Sequence, residues 1–376
     1  MLRGNGWSEQ ELAKHFAGKD IEAALGADYR GATIGSVMDA IIGQRRMVLS
    51  DRKSNDFIRA GLRAEKDIAA SGYSTVSLSG ILGNVANKMM LRGFTAVETT
   101  WSRWCKVVPV NDFKAHTAYR MDFTGSYKKV GPDGEIKHAT LGEASATVRA
   151  ETYGTMIALT RQMIVNDDLN AFSELPAGMG RAAAIRIEEG AYVTLLANTG
   201  SFFATGNKNY FEGAATNLQI SSLTTAEQKF LDFVDSNGKP VLVSPKMLLV
   251  GSALKTTAED LYKGEKLQSG STTSVIDRNP HAGKYAVVAS PYLNNTAIKD
   301  QDGAAISGQS ATVWFLLADP SDRAVVHVAF LRGNQTPTIE SADTDFNTLG
   351  MQWRSYHDFG FGQGETFGGV MSKGAA

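Results

Sequence analysis

A long alternating stretch, residues 107–150, folded about Gly131-Pro132-Asp133-Gly134, constrains this chain more than any other feature. Phe113-Lys114-Ala115-His116 and Tyr119-Arg120-Met121-Asp122-Phe123 alternate with the two-residue period of a strand. In the turn, proline presets the first backbone angle and Asp-Gly follows, so two antiparallel arms are predicted, the second returning through Ile136 to Val148. The residues between are small and polar, and they cannot build a core. A two-stranded ribbon on its own is marginal in water. The hairpin therefore needs a surface to lie on, and another copy of the chain is the expected supplier.

Beyond the hairpin, Asn166-Asp167-Asp168 offers an N-cap for a short helix, with acids at the positive end of its dipole. Pro176 suits the first turn of a longer helix over residues 176–197. Ala184, Ile187, Ala191 and Leu195 form its apolar stripe, and Asn198-Thr199-Gly200 ends it. At 1.5 Å per residue such a helix is a rod of about 30 Å. From residue 222 helices and strands alternate. Helices are predicted over 224–234 and 252–262, and strands over 240–243, 247–250, 285–290, 313–318 and 324–331. Residues 336–340 and 351–359 also read as strands. The first hundred residues carry short helical patterns at 9–16 and 37–42, broken by glycines.

Composition narrows the function. The chain has 376 residues, enough for two or more lobes. The formal net charge of −1 argues against a dedicated nucleic-acid binder. Cys105 is the only cysteine, which excludes an internal disulfide or a multi-cysteine metal site and fits a reducing compartment. The N-terminal residues lack the apolar run of a signal peptide, and no run of about 18 apolar residues spans a bilayer. A soluble protein made in the cytoplasm, with no membrane partner, is expected. Basic residues gather at Arg45, Arg46, Arg52, Lys53, Arg59, Arg63 and Lys66. They read either as a solvated helix face or as a segment facing a polyanion such as packaged DNA.

A search for catalytic chemistry returns nothing. Residues 200–208 imitate a phosphate loop, but the spacing is wrong and no Ser or Thr follows Lys208. Gly360-Phe361-Gly362-Gln363-Gly364 lacks a following helix to hold a pyrophosphate and reads as a flexible strand exit. The histidines, His15, His116, His138, His281, His327 and His357, stand singly, without the spacing of metal ligands. His357 and Asp358 are neighbours on a predicted strand and point to opposite faces. Asp300-Gln301-Asp302-Gly303 lacks the spacing of a calcium loop. Cys105, between Trp104 and Lys106, reads as a buried packing residue. No catalytic, cofactor-binding or metal-ligating residue is assigned, and no cofactor is expected.

Three segments carry a resemblance. They are Tyr153-Gly-Thr-Met-Ile-Ala-Leu-Thr-Arg-Gln-Met-Ile-Val-Asn-Asp-Asp-Leu169, Val328-Ala-Phe-Leu-Arg-Gly-Asn-Gln-Thr-Pro337 and His357-Asp-Phe-Gly360. With the order of the pieces, they make residues 105–376 resemble a tailed-phage major capsid protein of the Hong Kong 97-type fold, within the Mu-like major head subunit family. The resemblance implies an α+β fold. Residues 1–106 would be an N-terminal arm and lead-in, and 107–151 an extended loop. Residues 152–221 and 333–376 would form a peripheral domain with spine helix 176–197, and 222–332 an axial domain. It implies a subunit that self-assembles into pentamers and hexamers around the phage genome, in the virion, after synthesis in the host bacterial cytoplasm. Implied partners are other copies, a portal, decoration or scaffolding proteins, and weakly held double-stranded DNA facing Arg45, Arg46, Arg52 and Lys53. Lys128, Lys129, Pro132 and Asp133 would lie at the inter-subunit hairpin tip. There the lysines either crosslink, as in some members of the fold, or keep an exposed hairpin soluble. Two rivals remain open from sequence: an encapsulin-like shell, and an oligomeric enzyme in which His116, His327 and Asp358 converge.

Overall fold

A computed structural model describes residues 78–123, 141–160, 169–235, 238–264, 267–269, 274–276, 279–300, 303–343 and 350–374. The chain divides into two compact units, residues 1–98, 152–184 and 336–357 in the first and 99–151, 185–335 and 358–376 in the second. The expected helices at 9–16 and 37–42, the capping segment at 166–168 and the turn at 131–134 lie outside the described residues.

In the first unit, helix α1 (Leu78–Thr95) buries Ala86, Met89 and Met90, the spacing of one helix face. It meets the start of another helix backbone to backbone. A Cβ added to Gly93 would stand 1.9 Å from the Ala177 carbonyl oxygen, and one added to Gly180 would stand 1.9 Å from that of Met90. Two glycines, one on each helix, let the axes approach this closely. Strand β12 (Thr338–Asp343) runs antiparallel to the first part of β13 (Gly350–Gln363), from Thr338 opposite Tyr356 to Asp343 opposite Met351. Strand β4 (Glu151–Thr160) also pairs with β13. Ser355, on β13, donates from its hydroxyl to the Met90 sulfur at 3.3 Å.

The long helix α3 (Leu169–Leu196) contributes to both units. Its stripe of Ala184, Ile187, Ala191 and Leu195 is buried as the spacing predicted. Its start is a correction. The helix begins seven residues before Pro176, which therefore sits inside it. Proline lacks an N–H and loses one backbone bond there, at a cost of about 3 kcal/mol in an isolated helix. A local rule cannot foresee tertiary packing that outweighs such a loss, and here the helix continues through the proline.

In the second unit a short helix, α2 (Trp101–Trp104), buries both tryptophans and leads into β1 (Lys106–Val110). Strand β1 runs parallel to β11 (Val326–Leu331), which is antiparallel to the last part of β13, Val326 opposite Gln363 and Phe330 opposite Phe359. A second sheet has the order β5-β14-β10-β6-β9. Its strands are β5 (Tyr210–Phe211), β6 (Pro245–Gly251), β9 (Ala286–Ser290), β10 (Trp314–Ala318) and β14 (Gly369–Ser372). Every residue of β10 is buried, as befits a central strand covered on both faces. Helices α4 (Ile220–Leu231) and α5 (Lys255–Lys263) supply Leu223, Ala226, Phe230, Ala258 and Leu261 to its core. Strands β7 (Leu267–Ser269) and β8 (Ser274–Ile276) form a small hairpin.

Two further expectations are corrected. Residues 240–243 are no strand: among the described residues they make only a bridge between Pro240 and Val234, and Leu242 has a φ of +57°. Nor are residues 360–364 a flexible exit. Gly360 and Gly362 are buried within β13, where side chains have no room.

Candidate assembly site

The predicted hairpin exists as β2 (His116–Phe123) and β3 (Leu141–Val148), antiparallel from His116 opposite Val148 to Phe123 opposite Leu141. Residues 107–110, read as part of its first arm, belong instead to β1 and the sheet of β11. Among the described residues, β2 and β3 pair only with each other. Their base is held tightly. Val148 and Ala150 are buried with Val110 and Ala329. Gly360 faces the Arg149 carbonyl so closely that an added Cβ would lie 1.8 Å from its oxygen, and Gly362 faces the Thr147 carbonyl at 2.5 Å.

A second anchor holds the chain that feeds this hairpin. Glu188 of α3 is 7% exposed, and its carboxylate accepts hydrogen bonds from the backbone N–H of Thr100 at 2.8 Å and of Trp101 at 2.9 Å. The Thr100 hydroxyl also donates to it, and lies 2.6 Å from the Tyr192 hydroxyl. The carboxylate thus occupies the N-terminus of α2, where free N–H groups want an acceptor. Burial pushes the Glu188 carboxyl above its ordinary range, against the pull of these donors. Burial, then the nearby Glu188 charge, raises both the Cys105 thiol and the Tyr192 phenol, so Cys105 is an inert packing residue. Tyr192 stacks on Tyr292 at 5.5 Å and tilts against Trp104 at 5.1 Å. Burial, then Glu189 and Glu188, pushes the Tyr292 phenol up to about 12. Sequence reading missed Glu188, although a signal existed: it lies four residues after Ala184 and three before Ala191, on the apolar stripe itself.

The expected site residues Lys128, Lys129, Pro132, Asp133, Arg45, Arg46, Arg52 and Lys53 lie outside the described residues. The phosphate-loop imitation is a pair of tight turns stapled by asparagines. Asn198 both donates to and accepts from the Phe203 backbone, and Asn209 accepts from Ala204 N–H and donates to the Phe202 and Thr366 carbonyls. His357 is buried edge-on to Phe94. Among the described residues, no three His, Cys, Asp or Glu side chains gather into a metal-holding group. None of the described helices is long and apolar enough to cross a membrane.

Two buried histidines make stability depend on pH. The His281 ring lies 2.9 Å from the Thr224 hydroxyl and 3.5 Å from the Glu227 carboxylate. Burial lowers its pKa, which Glu227 opposes and Lys284 reinforces. His327 is lowered by burial and by Lys106, against Glu365. Both rings are held neutral in the folded chain, so the unfolded chain binds their protons first. Their contribution is present above the ordinary histidine pKa of about 6.5 and is lost as pH falls through the lower folded values. Glu188, raised when folded, acts the other way: its contribution is full below about 4.5 and lost as pH rises through its folded value. Calorimetry from pH 8 down to 5.5 should show a falling unfolding midpoint. The slope should flatten in the double variant His281→Gln, His327→Gln. An equal slope in that variant would count against buried neutral imidazoles.

Residues 143–372 match the family described as phage capsid protein, and the chain belongs to that family. It is a phage capsid protein, a structural subunit of the virion shell that associates with its own copies, with a mixed helix-and-sheet fold. Similar solved structures include the capsid of cyanophage P-SCSP1u, at 10% identity and TM-score 0.48, covering 74% of this chain and 88% of that one. The mature capsid of bacteriophage PhiM1 aligns at 12% identity and TM-score 0.49, over 74% and 88%. The head of Helicobacter pylori bacteriophage KHP40 aligns at 12% identity and TM-score 0.48, over 73% and 88%. No curated protein matches the chain. The family match carries the assignment.

Proposed function

We propose that this capsid protein is a Mu-like major head subunit that builds pentamers and hexamers through its extended loop. In this reading residues 107–151 reach over a neighbouring subunit. Residues 152–221 and 333–376 form the peripheral domain and 222–332 the axial domain. The observation that carries it is the β2–β3 ribbon: clamped at its root and, among the described residues, paired only to itself. A neighbouring copy supplies the surface such a ribbon lacks. Lys128, Lys129, Pro132 and Asp133 at the tip would then meet that neighbour. Arg45, Arg46, Arg52 and Lys53 would face double-stranded DNA weakly, and a portal and decoration or scaffolding proteins would complete the head. Assembly would follow synthesis in the host cytoplasm.

Sedimentation velocity and negative-stain electron microscopy of the purified chain, at low and near-physiological salt, test this reading. Closed shells, tubes, or rings of five or six copies are the expected result. A chain that stays monomeric at every concentration would overturn it. Rings formed equally well by a chain lacking residues 124–140 would overturn the role given to the loop.

A further inference from the structure

We infer that His327 makes the root of the β2–β3 hairpin acid-labile: a proton on its ring unseats the root while the rest of the second unit stays folded. The residue lies beneath that root. His327 and Ala329, two apart on β11, share one face of the sheet. Ala329 is buried there with Val110, Val148 and Ala150, where the returning arm leaves the hairpin. On β13 the partners are Gly362, opposite His327, and Gly360, opposite Ala329. A Cβ added at Gly362 would stand 2.5 Å from the Thr147 carbonyl oxygen and 3.1 Å from the Val148 Cβ. The end of β3 therefore crosses the face on which the His327 ring stands, in the space that a side chain at Gly362 would fill.

The surroundings of the ring favour its neutral form. His327 is 8% exposed, and its Nδ1 is buried without a hydrogen-bond partner among the described residues. The β1 register puts Lys106 directly opposite, so a protonated ring would face a like charge across the ladder. The nearby carboxylate is that of Glu365, which Arg323 already engages. Burial and then Lys106 accordingly lower the His327 pKa, with Glu365 opposing. Arg149, beside the crossing, is exposed and brings no negative charge. The strand alongside is lightly held: β1 is an edge strand, Val110 is its one buried residue, and Pro109 has no N–H to give. One other titratable pair lies close by, His116 and Asp112 at the start of β2, 2.7 Å apart and both partly exposed. Unseating the root brings the His327 ring to water, where it binds its proton near pH 6.5, an ordinary value of about that size. The open fraction of the root should therefore grow as pH falls below about 6.5, by at most about tenfold per pH unit for one proton.

Hydrogen exchange of the full-length chain at pH 7.5 and 5.5, corrected for the pH dependence of the chemical rate, tests this. The amides of Val107, Val108, Val110, Thr147 and Val148 should open several-fold more often at the lower pH, up to about tenfold, with β10 better protected at both. His327→Gln cannot take up the charge and should flatten the rise. Lys106→Gln, an exposed change that leaves the ring in place, should shrink it, and His116→Gln should keep it. Root protection equal at the two pH values in the parent would overturn the inference. So would an undiminished rise in His327→Gln, a rise lost in His116→Gln, or a β10 that opens as readily as the root. Should His327→Gln fail to fold, Lys106→Gln decides: a rise equal to the parent's overturns the inference and a smaller one upholds it.

Discussion

Replacing Gly360 with alanine is expected to cost about 3 kcal/mol or more and to leave little soluble protein, because the methyl group has nowhere to go. Its carbon would lie 1.8 Å from the Arg149 carbonyl oxygen, 2.8 Å from the carbonyl carbon and 3.1 Å from the Ala150 Cα. All three are backbone atoms, so no side chain can swing aside. Gly360 is also paired with Ala329 within the β11–β13 ladder, and Ala329 is buried with Val148 and Ala150. Moving either strand breaks hydrogen bonds or opens that cluster. Against a typical total stability of about 5–15 kcal/mol, the loss is large. Gly178→Ala is the control. An added Cβ at Gly178 meets nothing within 4 Å, and the residue lies inside α3, so alanine should stabilise by about 0.5–1 kcal/mol. Urea unfolding of both variants checks the pair. A Gly360→Ala midpoint equal to the parent's would mean that the root of the hairpin is not clamped as described.

Glu188→Ala is the second large effect. Truncation leaves the half-buried N–H of Thr100 and the buried N–H of Trp101 without their acceptor, and each orphaned donor costs about 1–3 kcal/mol. A total loss of about 3 kcal/mol or more follows from the sum of two such groups. Glu188→Gln keeps one acceptor oxygen and should lose less. It should also remove the part of the pH dependence in which stability falls as the glutamate ionises. The damage should be local first: hydrogen exchange at residues 101–105 should quicken before the strands of the second unit are affected. A loss below about 1 kcal/mol would mean that water replaces the carboxylate, so that α2 is not anchored through Glu188.

Much of this architecture was legible beforehand because its signals are local. The alternation at 119–123, the returning arm that ends at Val148 and the buried run at 313–318 fall on strands, while Phe113 to Ala115, read as alternating too, precede the strand; the stripe through Ala184, Ile187, Ala191 and Leu195 is the buried face of α3. The three segments behind the family resemblance pointed to a capsid protein, and the match over residues 143–372 establishes it. Legibility failed wherever a residue's role depended on a distant neighbour. Pro176 looked like a helix start because a proline rule sees only four residues back. Gly360 and Gly362 looked like slack because their reason, the carbonyls of Arg149 and Thr147, lies more than two hundred residues away. Glu188 was one acid among several until Thr100 and Trp101 arrived above it.

From sequence alone came the buried stripe of the long helix, most of the helices and strands between residues 222 and 359, and the expectation of a hairpin too polar to stand alone. These follow from side-chain period and turn chemistry, which neighbouring residues set among themselves. Tertiary structure alone decided that β1 leaves the hairpin to run parallel with β11, that glycines seat the hairpin root and the α1–α3 crossing, and that a buried carboxylate pins α2. It also decided that Leu242 faces outward from a bent backbone rather than inward from a strand. Each of these is a matter of which backbone approaches which, and of where a donor or methyl group lands. Close packing settles such questions only when segments far apart in the chain meet.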